Sequence, residues 1–415
     1  MVHLQIDDPA VADLVRQEEA RLETTLDLVA SESHARLSVL EVLGSVLNTK
    51  TIEGYPGKRF HAGCVHADAI EILAIERAKQ LFGAEHANVQ PHSGTSANLA
   101  VYFSVLDVGD KILAMSLPHG GHLSHGHRAS VTSRCFQWAH YGVDPDSGRI
   151  DYDSVREIAL RFRPKMIVAG ASSYARLIDY GRLAALAREV SATLFVDMAH
   201  IAGLVAAGVI PSPVPHSDFV TFTCYKTMLG ARGGVILCRA RHAAAIDRAI
   251  FPGCQGTSPV SGIAAKAVTF KQAGEPWFLA AQRRTLANAR VLAGELESRG
   301  FDIVSGGTDT HQVLVDLGPK KIAGGEAQQV LESVGILVNR NVIPRDIEHL
   351  GRASGMRLGA VGPAARGMGE TEMQCVAAWI DAALVNRHDR DELARVAAEV
   401  SALCRRHPVY AGRTS

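Results

Sequence analysis

The fold is decided by the stretch Ser217-Asp218-Phe219-Val220-Thr221-Phe222-Thr223-Cys224-Tyr225-Lys226-Thr227. Its apolar pattern is typical of a buried strand, and one lysine, Lys226, follows it. The chain then turns through Gly230-Ala231-Arg232-Gly233-Gly234. A lysine at the end of a buried strand loses solvation and can act as an amine nucleophile. An isolated lysine there is more often a solvated strand-end residue, so the prediction depends on two further segments.

The first of these segments is Leu194-Phe195-Val196-Asp197-Met198-Ala199-His200. Its apolar run indicates a buried parallel strand that places Asp197 at its carboxyl end. A buried carboxylate needs a cationic partner. Because ligands of open parallel sheets bind beyond the carboxyl ends of the strands, Asp197 and Lys226 are predicted to share one site.

The second segment, Gln90-Pro91-His92-Ser93-Gly94-Thr95-Ser96-Ala97-Asn98, is a turn of small residues followed by a helical pattern. Such a turn presents backbone N–H groups and hydroxyls to an anion, ideally a phosphate. The turn, the aspartate and the lysine together are what pyridoxal 5'-phosphate requires. The turn holds the phosphate, the aspartate keeps the pyridine nitrogen protonated, and the lysine bonds to the aldehyde.

The rest of the chain predicts an α/β fold with a mostly parallel sheet, because helical patterns alternate with short apolar strands. A helix is predicted over 68–82, closed by Gly83. Strands are predicted at 111–115, 165–170, 193–197, 218–222, 233–238, 302–305 and 312–317. The break at Gly274-Glu275-Pro276 predicts two domains: residues 1–275 as an N-terminal arm and large cofactor-binding domain, and residues 276–415 as a smaller α+β domain.

Composition favours an enzyme that acts on small molecules. The 43 Lys and Arg residues balance the 43 Asp and Glu residues, so nothing indicates nucleic acid or an acidic membrane surface as a partner. No run reaches membrane-spanning length, and the N-terminus does not resemble a signal peptide. The seven cysteines are scattered without a C-x-x-C pair. Reduced thiols and a cytoplasmic location are therefore expected.

A histidine-rich segment also invites a zinc interpretation, because His119, His122, His125 and His127 fall within nine residues. Zinc sites usually hold their ligands on a helix or hairpin, with further ligands at a distance. Glycines supply no such frame here, and the segment contains no cysteine. We therefore predict no metal, and interpret His119, His125 and His127 as polar loop residues.

From about Leu28 to Leu384 the chain resembles the serine hydroxymethyltransferase family. The motifs that carry the resemblance are Val29-Ala30-Ser31-Glu32-Ser33, Glu53-Gly54-Tyr55-Pro56-Gly57-Lys58-Arg59, Asn88-Val89-Gln90-Pro91-His92-Ser93-Gly94, His119-Gly120-Gly121-His122-Leu123, Val196-Asp197-Met198-Ala199-His200-Ile201-Ala202-Gly203-Leu204-Val205 and Ser354-Gly355-Met356-Arg357. The resemblance implies a fold-type I pyridoxal-phosphate transferase with a large domain built on a mostly parallel, seven-stranded type of sheet. It also implies tetrahydrofolate as co-substrate and a homodimer, and it leaves pairing of dimers into a tetramer open.

The resemblance further implies which residues form the site. The cofactor contacts it implies are Ser93, Gly94, Thr95, His122, Ser172, Asp197, His200, Lys226 and Gly256. The substrate contacts are Ser31, Thr51, His61, Tyr225 and Arg357. The folate contacts are Glu53, Phe60, Leu117, Gly121, Leu123 and Asn341. Glu53 and the 253–256 turn would come from the neighbouring subunit.

The family's roles would make Lys226, Glu53, His122 and Asp197 the catalytic residues. His122 would stack on the cofactor ring. Glu53 would move protons, a task that needs a carboxyl group whose pKa is raised by burial. Arg357 would clamp the substrate carboxylate, which suits a planar guanidinium. The hydroxymethyl group of serine would then leave and be captured by tetrahydrofolate.

Departures from the family pattern surround the substrate and leave the cofactor residues intact. Thr51 and His61 stand where the family has tyrosines, and Tyr225 stands where it has a histidine. Phe60 replaces a further tyrosine, and Leu350-Gly351 lacks an aromatic residue in the folate loop. Arg357 is followed by Leu358-Gly359-Ala360-Val361 instead of a Thr-Pro pattern.

Because Thr51 and His61 are smaller than the tyrosines of the family, they should free volume near the substrate α-carbon. The hypothesis is therefore a hydroxymethyltransferase for serine or 2-methylserine. Three alternatives remain open at this point. One is a folate-independent aldolase or transaldolase for threonine-type substrates, favoured by Gly351 and by Ala360-Val361. Another is a plain serine/glycine enzyme with unusual substitutions. The third is a binding protein that has lost catalysis, against which the intact Lys226, Asp197 and Arg357 argue.

Overall fold

The computed structural model describes residues 2–349 and 353–410. Its strands, in chain order, are β1 (Leu26–Asp27), β2 (Gly54–Tyr55), β3 (Lys58–Arg59), β4 (His86–Asn88), β5 (Lys111–Met115), β6 (Gln137–Tyr141), β7 (Met166–Ala169), β8 (Thr193–Asp197), β9 (Phe219–Thr223), β10 (Gly234–Cys238), β11 (Asp302–Ile303), β12 (Gln312–Asp316), β13 (Ile336–Leu337), β14 (Asn339–Asn341) and β15 (Gly355–Gly359). Its helices are α1 (Val2–Asp7), α2 (Pro9–Thr24), α3 (Leu37–Leu43), α4 (Val65–Phe82), α5 (Gly94–Val105), α6 (Thr132–Cys135), α7 (Tyr152–Phe162), α8 (Tyr180–Glu189), α9 (Ala202–Ala206), α10 (Ala243–Arg248), α11 (Val260–Ala273), α12 (Pro276–Ser298), α13 (Gly324–Ser333), α14 (Val361–Ala365), α15 (Glu370–Val385) and α16 (Arg390–Arg406).

A seven-stranded sheet carries the first part of the chain, in the order β4-β10-β9-β8-β7-β5-β6. All of its neighbouring pairs are parallel except those of β10, which runs antiparallel to both β4 and β9. Strands β7 to β10 are apolar runs buried over most of their length, as expected for a sheet covered on both faces. The predicted α/β class and the mostly parallel sheet are confirmed.

The predicted elements are confirmed with small shifts at their ends. Helix α4 begins at Val65, three residues before the predicted start, and Gly83 closes it in the left-handed conformation with φ of 65°. Strand β11 is shorter than predicted because the chain enters a 3-10 turn at Val304. Within the seven-stranded sheet, the prediction lacked two strands. Strand β4 has only three residues, and β6 is an edge strand with two exposed residues.

The second sheet is antiparallel, in the order β11-β12-β15-β14. The N-terminal arm joins this part of the molecule, because β1 pairs in parallel with β13. Leu26 and Leu28 of the arm are buried in the same apolar core as Val313 and Met356 of the second sheet. Helix α12 contributes to both major cores, and the division at residues 275 and 276 stays a prediction.

Two further findings concern the cysteines and the helices. All seven cysteines are free thiols in the described structure. Within residues 2–349 and 353–410, no helix combines the length and the apolar character needed to cross a bilayer.

Candidate active site

The predicted strand-end residues meet at one edge of the large sheet. Asp197 is the last residue of β8, and Lys226 follows β9, its parallel neighbour. The cleft between them has an empty volume of about 480 Å³. Its lining residues are Ser93, Gly94, Thr95, Asn98, His122, His125, Ala171, Ser172, Asp197, Ala199, His200, Thr223, Tyr225 and Lys226.

Lys226 has the environment of a reactive amine. Its side chain is only 8% exposed. Burial lowers the pKa of Lys226 to about 8, although the negative charge of Asp197 opposes the shift. A substantial fraction of the amine is therefore neutral and nucleophilic near physiological pH.

Asp197 is held as an anion by a buried hydrogen-bond network. Its Oδ2 accepts from Asn98 Nδ2 at 2.8 Å and lies 3.4 Å from His125 Nε2. Thr221 Oγ1 in turn donates to Asn98 Oδ1 at 2.7 Å, which fixes the orientation of the amide. Burial raises the pKa of Asp197, but the hydrogen bond and charge of His125, aided by His122, hold that pKa well below its usual range.

The turn predicted to hold the phosphate, here called the phosphate turn, leads into the N-terminus of α5. Ser93 caps this helix through its side chain, and Gly94 and Thr95 are its first residues. A Cβ on Gly94 would lie 2.8 Å from Thr223 Cγ2, so the turn packs closely on the end of β9. Thr223 Oγ1 is buried in the cleft without a hydrogen-bond partner among the described residues. An unsatisfied hydroxyl beside helical N–H groups fits an anionic group.

These features fit pyridoxal 5'-phosphate. The helix N-terminus and Thr223 suit its phosphate, the anionic Asp197 suits its pyridinium nitrogen, and the buried Lys226 suits its aldehyde. His122 and Ser172 line the same cleft, as does His200. When bound, the cofactor supplies an electron sink for a bond broken at the substrate α-carbon.

Arg357 reaches the site from the second sheet. It lies on β15 and is only 8% exposed. Its Nε donates to Asn339 Oδ1 at 3.0 Å, and its Nη1 donates to the carbonyl oxygen of Ser172. Burial lowers the pKa of Arg357 to about 10, so it remains a cation at neutral pH. Tyr225 is also fixed, because Ser33 Oγ donates to its carbonyl oxygen at 2.7 Å.

A second cavity adjoins the cleft and shares His122 and His125 with it. Its empty volume is about 1020 Å³, and Leu117 and Val342 are among its lining residues. Gly121 is required beside it, since a Cβ there would lie 2.2 Å from the carbonyl oxygen of Met115. Leu123 is 52% exposed, and Asn341 lies on β14 next to Val342.

The remaining predicted residues stand apart from the cleft within one chain. None of the described residues that line the cleft belongs to 51–61 or to 253–256, and Ser31 is not among them. Glu53 and Gly256 nevertheless adjoin each other, because a Cβ on Gly256 would lie 4.0 Å from Glu53 Oε1. Phe60 is 75% exposed, and the side chains of Thr51 and His61 are exposed nearby. Leu350-Gly351 lies outside the described residues.

His125 lies in a loop as predicted, but the expectation that it has no role in the site is wrong. His125 is 3% exposed, and its Nδ1 lies 2.7 Å from the Tyr102 hydroxyl. Together with Asn98 it forms part of the Asp197 network, which the sequence reasoning missed. Asn98 lies one helical turn after Gly94 and so faces the same way, a signal that could have identified it. No comparable signal separated His125 from its neighbours.

The ligand atoms of His122, His125 and Asp197 lie within 4.8 Å of one another and could hold a metal ion. Two of the three already contact each other, because His125 Nε2 faces Asp197 Oδ2 at 3.4 Å. Asn98 donates to the same carboxylate oxygen. The cluster is therefore explained as a hydrogen-bond network that orients Asp197.

The mixed seven-stranded sheet and this strand-end site define a fold-type I pyridoxal-phosphate enzyme. A family model described as serine hydroxymethyltransferase matches residues 4–380. Three proteins of that name from strains of Dehalococcoides mccartyi are 48%, 48% and 49% identical to this chain over 410 residues, or 99% of each chain. The chain belongs to the serine hydroxymethyltransferase family, whose enzymes use pyridoxal 5'-phosphate and tetrahydrofolate.

Acid should destabilise the protein through its buried histidines. Burial lowers the pKa of His122 and His34 to about 4 and that of His311 to about 3, against 6.5 when exposed. As the pH falls below 6.5, the unfolded chain takes up these protons first, so the free energy of unfolding should fall. The slope should reach about 1.4 kcal/mol per pH unit for each histidine.

Urea unfolding between pH 7.5 and 4.5 measures this slope. The variant His311→Asn cannot take up a proton at that position and should show a shallower slope than the unmodified protein. His388→Asn, at an exposed histidine, is the matched control and should leave the slope unchanged. Equal slopes for His311→Asn and the unmodified protein would contradict the prediction.

Proposed function

We propose that this chain cleaves the Cα–Cβ bond of serine and passes the one-carbon unit to tetrahydrofolate, releasing glycine. The observation that carries the proposal is the buried Lys226 amine beside the anionic Asp197, in a chain of this family. Lys226 supplies the amine that bonds to the cofactor, and Asp197 keeps a proton on the pyridine nitrogen. Arg357 supplies the positive charge that orients the substrate carboxylate.

Glu53 is proposed as the group that moves protons to and from the substrate hydroxyl, acting from a neighbouring subunit. Its absence from the cleft lining of one chain supports this arrangement, as does its position beside the 253–256 turn. The apolar side chains of Val46, Phe60 and Val65 are 83%, 75% and 71% exposed around this segment, which favours burial against a second copy.

The proposed homodimer is tested by mixing two inactive variants. Glu53→Gln and Lys226→Ala chains, coexpressed, should form mixed dimers that contain one intact site. Activity should therefore return in the mixture and be absent from either variant alone. No recovery, together with a monomeric mass by light scattering, would contradict the proposal. The same mass measurement separates a dimer from a tetramer.

The widened substrate site is proposed to admit 2-methylserine, with alanine as the product. Thr51 and His61 are both exposed and lie around Cys64, whose Sγ is 3.7 Å from the Thr51 carbonyl oxygen and 3.2 Å from that of His61. Thr51 is smaller than the tyrosine it replaces, and so is His61. The volume lost at the two positions could accommodate one additional methyl group, worth about 1 kcal/mol of binding when buried.

Serine, 2-methylserine and threonine, each with and without tetrahydrofolate, distinguish the candidate activities. Folate-dependent glycine from serine supports the main proposal, and folate-dependent alanine from 2-methylserine supports the widened site. Turnover of serine without turnover of 2-methylserine would contradict the 2-methylserine proposal. Glycine from threonine, equal with and without folate, would favour the aldolase. Colourless protein after incubation with pyridoxal 5'-phosphate would favour a binding protein. The cytoplasmic location stays a prediction from the free thiols.

The variant Arg357→Lys should raise KM for serine by about tenfold to a hundredfold and change kcat less, because an ammonium group cannot reproduce the planar fork of guanidinium donors. It should also lose one of the contacts to Asn339 and Ser172 that fix the side chain. Steady-state kinetics of serine cleavage measures both constants. Arg340→Lys, at an exposed arginine on the neighbouring strand, should leave KM unchanged. An unchanged KM for Arg357→Lys would exclude this role.

A further inference from the structure

A second buried lysine, Lys266, lies on α11 outside the cleft lining. It is only 3% exposed, and lysine is almost never fully buried unless its charge is compensated. Its Nζ donates to three backbone carbonyl oxygens: Val89 at 2.6 Å, Pro91 at 2.9 Å and Gly234 at 2.9 Å. All three hydrogens of the ammonium group are therefore directed at neutral oxygens in fixed positions.

These three carbonyls join the phosphate turn to the sheet. Val89 and Pro91 lie between β4 and Ser93, the residue that caps α5, and Gly234 begins β10. The Pro91 oxygen also accepts from the Gly234 N–H at 3.0 Å. A Cβ on Gly234 would lie 2.2 Å from the Ser93 carbonyl oxygen, so β10 runs directly against the turn.

The backbone around Lys266 is shaped to its side chain. A Cβ on Gly233 would lie 2.4 Å from Lys266 Cε and 2.9 Å from its Nζ. The φ of Gly233 is +144°, a conformation that favours glycine. The ammonium group thus occupies a fitted space lined by carbonyl oxygens, an environment similar to that of a bound monovalent cation. A tether of four methylene groups holds the amine in this space.

We propose that Lys266 is a positioning residue for the cofactor phosphate. Its ammonium group acts as a tethered monovalent cation that holds the carbonyls of Val89, Pro91 and Gly234 together and thereby sets the turn at Ser93. The positive charge behind the turn also favours a bound phosphate dianion. This inference rests on the proposed function, because it takes that turn as the phosphate site.

Two variants separate the charge of Lys266 from its bulk. Lys266→Ala leaves a space that a small amine can enter, and Lys266→Met fills the space without a charge. The measurement is the Kd for pyridoxal 5'-phosphate, obtained by absorbance titration of purified, dialysed protein. Both variants should bind the cofactor about tenfold to a hundredfold more weakly, the range for losing hydrogen bonds to a charged group. Methylammonium chloride should restore tight cofactor binding in Lys266→Ala but not in Lys266→Met. Tetramethylammonium chloride, which has no N–H donor, should restore it in neither variant.

Three results would overturn the proposal. The first is an unchanged Kd in Lys266→Ala. The second is a weakened Kd that methylammonium does not improve, because Lys266 would then act only by filling space. The third result applies if Lys266→Ala does not fold. It is a Lys266→Met protein that binds pyridoxal 5'-phosphate with the Kd of the unmodified protein. Failure of the unmodified protein to bind pyridoxal 5'-phosphate overturns the proposed function as well, so the two failures are distinguishable.

Discussion

The variant Lys226→Ala is expected to cleave serine at least about a thousandfold more slowly than the unmodified protein. Lys226 is the buried amine of the cleft, and its pKa of about 8 keeps a useful fraction of it neutral. Alanine leaves the cleft without an amine that can bond to the cofactor aldehyde. The rate of glycine formation from serine, followed at saturating tetrahydrofolate, measures the loss.

The matched control for this variant is Lys271→Ala, at an exposed lysine near the end of α11. It should keep the rate and the visible cofactor spectrum of the unmodified protein. A Lys226→Ala protein that retains more than about a tenth of the rate would show that another group supplies the amine.

The variant Asp197→Asn is expected to lower kcat by about a hundredfold to a thousandfold. The asparagine side chain is nearly the same size and keeps a carbonyl oxygen for Asn98, but it carries no charge to hold a proton on the pyridine nitrogen. The hydrogen bond and charge of His125, which keep the pKa of Asp197 low against the effect of burial, would then have no anion to stabilise.

Kinetics and cofactor titration together test the role of Asp197. The rate of serine cleavage should fall even when the protein is saturated with pyridoxal 5'-phosphate. The reason is that the variant weakens electron withdrawal by the cofactor ring as well as affinity for the cofactor. Asp146→Asn, at an exposed aspartate in a surface turn, should change neither quantity. An Asp197→Asn protein that recovers full kcat at saturating cofactor would contradict the assignment.

The fold and the residues at the strand ends of the cleft could be predicted because their signals are local. The buried strands are continuous apolar runs, and the residue that follows such a run in a parallel sheet must lie at the ligand-binding edge. Asp197 and Lys226 were placed by this reasoning alone. The phosphate turn was equally local, since its small residues directly precede a helix that Ser93 caps.

The parts that escaped prediction depend on contacts between distant segments. His125 belongs to the Asp197 network only because its loop folds over α5, where Tyr102 contacts it. Arg357 was expected in the site, but its contact with the Ser172 carbonyl oxygen, 185 residues away in sequence, was not. Lys266 resembled any helical lysine until the structure placed three carbonyl oxygens within 2.9 Å of its Nζ. Spacing along the chain carries no signal for such contacts.

The most direct test of the account identifies the lysine that bonds to the cofactor. Purified protein loaded with pyridoxal 5'-phosphate is reduced with borohydride, digested, and mapped by mass spectrometry. One phosphopyridoxyl group is expected, on Lys226. This result is discriminating because burial also lowers the pKa of Lys266 to about 8, so a low pKa alone does not decide between the two lysines. Attachment to Lys266 or to an exposed lysine, with Lys226 unmodified, would contradict the account.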